Sequence, residues 1–284
     1  MSKVIVKLMG GLGNQMFQFS AGHKIAKKLN YKLIFDTNFL DDRTTDVVHR
    51  NFDLSIFKDV KNDVDNSPDQ HIGKFIINDS NQYVIKSDNL DFIKSDVYLD
   101  GFFQNYDLVD ESMVNIFSFD EYENVDCNRI HEEANLQNSL MINVRRGDYV
   151  SRPAARSFHG VLEMKYFEKA KAALSIKADK IFVFSDDVEW CANNFVNWNN
   201  TTVVGHEFAG QKFKDYLQLM SKFPNMIIPN STFAWWAAWI AEKSGTLKKI
   251  AAPGASLWFA GNPGKSKGLI PANWISLEKK DLTP

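Results

Sequence analysis

The chain has 284 residues, enough for one large domain or two modest ones with a substantial core. Its 44 % apolar and 24 % charged residues exclude a disordered or fibrous protein. Thirty-three Lys and Arg against thirty-five Asp and Glu give a net charge of −2, without the basic excess of a nucleic-acid binder.

Val4 to Leu8 reads as a strand and leads directly into a glycine-rich segment. This opening lacks the apolar stretch and cleavage site of a signal peptide. Gln15 to Leu29 reads as an amphipathic helix, and Tyr31 to Phe35 as a second strand. A βαβ opening of this kind predicts an α/β fold with a parallel sheet. Residues 36 to 97 are rich in Asp and Asn and poorly periodic, which predicts loops and short helices. Asp96 to Phe103 is a further strand candidate, and Asn105 to Asn138 an irregular helical passage between two domains.

A second α/β series follows. Strands are expected at Ser139 to Val144, Lys180 to Phe184, Asn225 to Ile228 and Ile250 to Ala252. Helices are expected at Leu162 to Leu174, Val188 to Phe195, Lys212 to Ser221 and Ala234 to Lys243. The pattern predicts two Rossmann-like halves with a cleft between them: an N-terminal domain over 1–135 and a C-terminal domain over 136–284. Ligands in such folds sit at the carboxyl ends of strands. Phe233 to Ile240, the richest apolar run, is far short of the ~20 residues of a membrane-spanning helix. The two cysteines, Cys127 and Cys191, form no zinc or disulfide spacing. A cytoplasmic setting is expected, with peripheral contact at the inner face of a membrane compatible with it.

Gly10-Gly11-Leu12-Gly13-Asn14-Gln15 joins the first strand to the first helix. Glycines permit a sharp turn and close backbone approach, and free helix N–H groups favour an anion. The third glycine of the dinucleotide fingerprint is missing, which counts against a dehydrogenase even though Asp36 follows the second strand. The segment reads either as a tight strand–helix turn or as a ligand loop, with Gly11, Asn14 and Gln15 as candidate contacts.

Met141 to Tyr149 is the most informative run: an apolar strand ends in Arg145, Arg146, Gly147 and Asp148. A guanidinium there can grip a diphosphate with a planar fork of donors. Asp148 can hold it in place or bond a sugar hydroxyl; a surface salt bridge is the plain alternative. Ser185, Asp186 and Asp187 close another strand; they can accept from guanine N–H groups or ribose hydroxyls, cap the next helix, or do both. Adjacent aspartates without further ligands make a poor metal site. Asn230, Ser231, Thr232 and Phe233 repeat the strand-to-helix logic and form an anion site. Trp235 and Trp239 share a helical face and read as core rather than as a carbohydrate platform. His159 reads either as an acid–base group or as a packing histidine.

Taken in order, Gly10 to Gln18, Arg50 to Leu54, Gly101 to Gln104, Arg145 to Tyr149, Ser185 to Asp187 and Asn230 to Trp236 resemble the signatures of the bacterial α-1,2-fucosyltransferases, glycosyltransferase family 11. The resemblance spans nearly the whole chain. It implies a two-domain GT-B fold, with an acceptor-side N-terminal half and a GDP-sugar-binding C-terminal half. It further implies GDP-fucose as donor, a glycan (galactose-type) acceptor, no metal or other cofactor, and inversion at the anomeric carbon. Arg145 would contact the diphosphate, with His159 and Asp148 as candidates for a general base. One position departs: the family commonly has histidine where this chain has Asn143, which cannot titrate near neutral pH.

Overall fold

The computed structural model describes residues 2–42, 50–61, 63–67, 71–135 and 138–283. The chain divides into two compact units, Met1–Ser118 and Phe119–Pro284. Each is an α/β structure on a fully parallel sheet, as the alternating pattern predicted.

The first unit contains β1 (Lys3–Lys7), α1 (Leu12–Leu29), β2 (Lys32–Asp36), α2 (Asn38–Asp41), β3 (Phe75–Asn78), β4 (Val97–Asp100) and α3 (Met113–Ile116). Its strand order is β2-β1-β4-β3. Val4, Ile5 and Val6 are all buried, so β1 has apolar cover on both faces and reads as a continuous run rather than an alternation. Helix α1 lies close on this sheet. A Cβ at Gly22 would overlap the Val6 side chain and lie 3.0 Å from Leu33 Cδ1, so only glycine fits there. The helix stops at Asn30, in the left-handed conformation at φ 54°, after Lys27 and Lys28 in its last turn.

The 36–97 stretch holds more than loops. Strand β3 pairs with β4, and Phe35 bridges Val64. Four residues are too few to declare a period inside an Asp- and Asn-rich sequence. Residues 43–49, 62 and 68–70 of that stretch lie outside the described residues.

The second unit contains α4 (Cys127–Ala134), β5 (Ser139–Val144), α5 (Gly147–Ser151), α6 (Pro153–His159), α7 (Met164–Leu174), β6 (Lys180–Ser185), α8 (Val188–Asn194), β7 (Thr201–Val203), α9 (Lys214–Met220), β8 (Asn225–Ile227), α10 (Thr232–Lys243), β9 (Lys249–Pro253), α11 (Ala255–Trp258) and β10 (Ile275–Leu277). Its order, β10-β9-β8-β5-β6-β7, is the doubly wound 6-5-4-1-2-3 arrangement. The strand order therefore reverses between β5 and β8, and a ligand crevice in this class opens outside the carboxyl ends of those strands.

The division between the units precedes the boundary expected at 135/136, whose latter residue lies outside the described residues. The physical reason is local. Asp215 Oδ2, in the first turn of α9, accepts from Glu123 N at 2.9 Å, and Gln218 Nε2 donates to Asp120 O at 3.0 Å. Cys127, Ile130 and Ala134 bury one face of α4. Trp235, Trp236 and Trp239 are core residues of α10, which is apolar almost all round and correspondingly enclosed. Among the described residues no helix is long and apolar enough to cross a membrane.

Candidate active site

The register of β5 against β6 pairs Val144 with Ser185, so the next residue on each strand, Arg145 and Asp186, emerge side by side. Arg145 Nη1 donates to Asp186 Oδ2 at 2.6 Å, and its Nη2 donates to Asp148 Oδ1. Burial works against the Arg145 charge. Asp186 and Asp148 outweigh it, and the guanidinium pKa lies above its ordinary value. The side chain keeps 24 % exposure, which leaves it a face toward solvent.

Glycine at 147 makes this arrangement possible. A Cβ there would overlap the Asp186 carboxylate, so any larger residue would push Asp186 off Arg145. Asp186 is also fixed from behind, since its Oδ1 accepts from Arg146 N at 2.9 Å.

Arg146 faces another way. Its Nε donates to Asp187 at 3.3 Å and its Nη1 to Glu163 at 3.2 Å, while the guanidinium covers the Trp190 ring at 4.1 Å. At 11 % exposure it is a clamp tying β5 to α8 and the start of α7. Its Nε and Nη1 are thus engaged with carboxylates of the chain itself. Asp187 caps α8, accepting from Trp190 N at 3.1 Å, and Ser185 Oγ accepts from Asp187 N at 2.9 Å. Of that trio only Asp186 faces Arg145. Asn143 is buried and donates to Phe184 O at 3.0 Å, so this departure from the resembled pattern falls inside the sheet.

The β8 side of the crevice ends in Asn230, 2 % exposed, whose Nδ2 donates to His159 O at 2.8 Å and Trp258 O at 3.3 Å. Its Oδ1 is buried without a partner. Ser231 precedes α10 and makes no side-chain cap. Ser231, Thr232 and Phe233 are half-buried around the first turn of a twelve-residue helix, whose N–H groups and dipole favour an anion.

Tyr149, which the sequence reading placed in the motif without a role of its own, joins the two sides. Its hydroxyl donates to Asn230 O at 3.2 Å, and Arg145 Cζ lies 5.2 Å over its ring. The His159 ring stacks on it with centroids 4.3 Å apart and planes 5° from parallel. Burial lowers the His159 pKa to about 4, with Asp148 opposing and Arg145 assisting the shift. At neutral pH the imidazole is uncharged. The spacing of Tyr149 four residues after Arg145 was the available signal.

In the first unit the turn after β1 is held by amides. Gln15 is buried, donates to Gly10 O at 2.9 Å and Asn51 O at 2.8 Å, and accepts from Asp53 N at 2.9 Å. These three bonds make Gln15 an anchor of the loop. Gln18 accepts from Met9 N at 3.0 Å and donates to Gly101 O at 3.2 Å. Asn14 is half-buried and accepts from Gln104 Nε2 at 2.9 Å. Gly11 caps α1 with backbone alone. Among the described residues no group of three His, Cys, Asp or Glu is arranged to hold a metal ion.

The family model described as glycosyl transferase family 11 matches residues 2–257. The chain belongs to that family. This family 11 glycosyltransferase is 32 % identical to the O-antigen biosynthesis glycosyltransferase WbnK of Escherichia coli, over 95 % of its own length and 99 % of the relative's. It is 29 % identical to an Escherichia coli alpha-1,2-colitosyltransferase, with 98 % and 100 % covered. The fucosyltransferase NodZ from Bradyrhizobium, a solved structure, shares 12 % identity over 88 % of this chain and 93 % of that one, at a TM-score of 0.49.

Proposed function

We propose that this family 11 enzyme transfers L-fucose from GDP-fucose to the 2-hydroxyl of a galactose-type acceptor, with inversion and without a metal. The observation that carries the reading is Arg145, charged, partly exposed and aimed by two carboxylates at the reversal between β5 and β8. The second unit then holds the GDP-sugar, and the first unit recognises the acceptor. The name of the relative WbnK supports a role in O-antigen synthesis, a setting compatible with a cytoplasmic enzyme touching the inner face of a membrane.

In this mechanism the acceptor oxygen forms a bond to the anomeric carbon as the bond to the β-phosphate oxygen breaks. GDP leaves with the electron pair, and the hydroxyl proton passes to solvent or a nearby base. Arg145 and the open turn of α10 meet the charge growing on the departing diphosphate, where a preorganised donor is worth about a hundredfold to a thousandfold. Asp148 and Asp186 orient Arg145.

Transfer in excess EDTA, run with GDP-fucose, GDP-mannose and UDP-galactose against galactose-terminated acceptors, tests the proposal. Transfer from GDP-fucose alone, undiminished by the chelator, is expected. Loss of rate in EDTA would reject the metal-free mechanism, and preference for another donor would reject the fucose assignment. The relative named as an alpha-1,2-colitosyltransferase favours one second reading, in which the sugar is colitose, which is fucose lacking its 3-hydroxyl. GDP-colitose in the same panel separates the two.

A further inference from the structure

The bonds that hold Arg145 leave one motion open. Asp148 and Asp186 grip its two terminal nitrogens, which sets where the guanidinium sits. They resist tilting of its plane far less, and tilt decides which N–H vectors meet a phosphate. The Tyr149 ring lies under Arg145 at 5.2 Å and opposes that tilt.

Tyr149 is itself held. His159 stacks on its ring at 4.3 Å, and Phe158 meets the imidazole edge-on at 4.9 Å and 89°. Phe259 closes the group at 5.6 Å from the His159 ring. A circuit of hydrogen bonds ties the stack to the mouth of α10: Tyr149 Oη to Asn230 O, and Asn230 Nδ2 to His159 O. One side chain, Tyr149, therefore connects the arginine at the end of β5 to the loop that opens α10.

We propose that Tyr149 and His159 are positioning residues, an aromatic stack that sets the tilt of Arg145 relative to the first turn of α10, with His159 serving as a ring rather than as a proton acceptor. The inference rests on the proposed contact between Arg145 and the donor diphosphate. Burial keeps His159 neutral against the opposing charge of Asp148. Arg145 disfavours a second positive charge there, Asp148 is engaged with Arg145, and Lys265 lies 5.3 Å over the neighbouring Phe158 ring. The His159 pKa near 4 keeps the imidazole neutral throughout the physiological range. A proton on it would weaken the pull of the stack on the guanidinium.

The test measures kcat, KM and GDP affinity of the full-length protein from pH 5 to 9 for His159→Ala, His159→Gln, His159→Phe, Tyr149→Leu and Arg145→Ala. His159→Ala and His159→Gln are expected to lose about thirtyfold in kcat, since small errors in aim are costly. His159→Phe is expected to recover about tenfold of that loss, with the parent's pH profile. Tyr149→Leu is expected to fall further and to bind GDP more weakly. A His159→Phe variant no better than His159→Ala, or one whose acidic limb disappears, would overturn the proposal in favour of proton transfer. Arg145→Ala separates the two levels. If it keeps parental GDP affinity and rate, the diphosphate reading fails. If it loses both while Tyr149→Leu and His159→Ala keep parental values, the stack proposal alone fails.

Discussion

In each sheet the strand that comes first in the chain lies inside it, β1 between β2 and β4 and β5 between β6 and β8. The loops leaving β1 and β5 are built from opposite chemistry. After β1 the buried groups are neutral amides, Gln15 and Gln18, and their bonds run to backbone atoms of the surrounding loops. After β5 the groups are two guanidinium ions among Asp148, Glu163, Asp186 and Asp187. A buried amide with every bond made stabilises a loop shape. A half-buried ion costs desolvation free energy, and bringing several together is a poor route to stability. The first loop is thus held by satisfied amides, and the second carries concentrated charge.

Arg145→Ala should break the comparison most sharply if it is wrong. It is expected to lower kcat/KM by about a thousandfold while leaving the melting temperature close to the parent's. Steady-state kinetics beside a thermal melt reads both, and near-normal turnover would remove Arg145 from the chemistry. The reverse pattern is expected from Gln15→Leu. The change leaves Gly10 O, Asn51 O and Asp53 N without their partner, at a cost of about 3 kcal/mol. Denaturant unfolding checks it; unchanged stability would mean that the amide does not hold the loop.

Smaller effects sharpen the charged side. Gly147→Ala places a methyl group against the Asp186 carboxylate, and about tenfold weaker GDP binding is expected by calorimetry. Affinity equal to the parent's would show that Asp186 need not touch Arg145. The smallest effect concerns pH. Folded His159 stays neutral down to about 4, whereas an unfolded histidine takes its proton near about 6.5. Below about pH 6.5 the unfolded chain binds the extra proton, so this group removes stability as pH falls toward 4. His159→Phe should reduce that loss by about 1 kcal/mol at pH 5, after solvent screening, seen as a flatter curve of Tm against pH.

Much of this was legible before any coordinates. β5, β6 and β8 announce themselves because a parallel strand covered on both faces is a nearly unbroken apolar run. The place of Arg145 and Asp186 follows, since residues just past such strands lie at the carboxyl edge. Helices α5 and α6 were missed because five and seven residues are too few to show a helical period. Pro153 in fact opens α6, where its missing N–H costs nothing. β10 was missed because two of its three residues, Ile275 and Ser276, are exposed and it forms no apolar run. The division of duties between the two arginines was not legible. They differ only in what lies opposite them, and Glu163 and Trp190 reach Arg146 through tertiary folding.

The strand order has a consequence for the chain as it leaves the ribosome. β5 is complete after residue 144, and its partner β8 begins only at Asn225. For the intervening stretch of synthesis one edge of an apolar strand has no neighbour, a condition that invites association with other chains. Closing a parallel pair across such a separation is also slow. Arg145 and its carboxylates can gather as soon as β6 is made, but the mouth of α10 arrives last. Low temperature and slow expression should therefore raise the yield of active enzyme more than that of total protein.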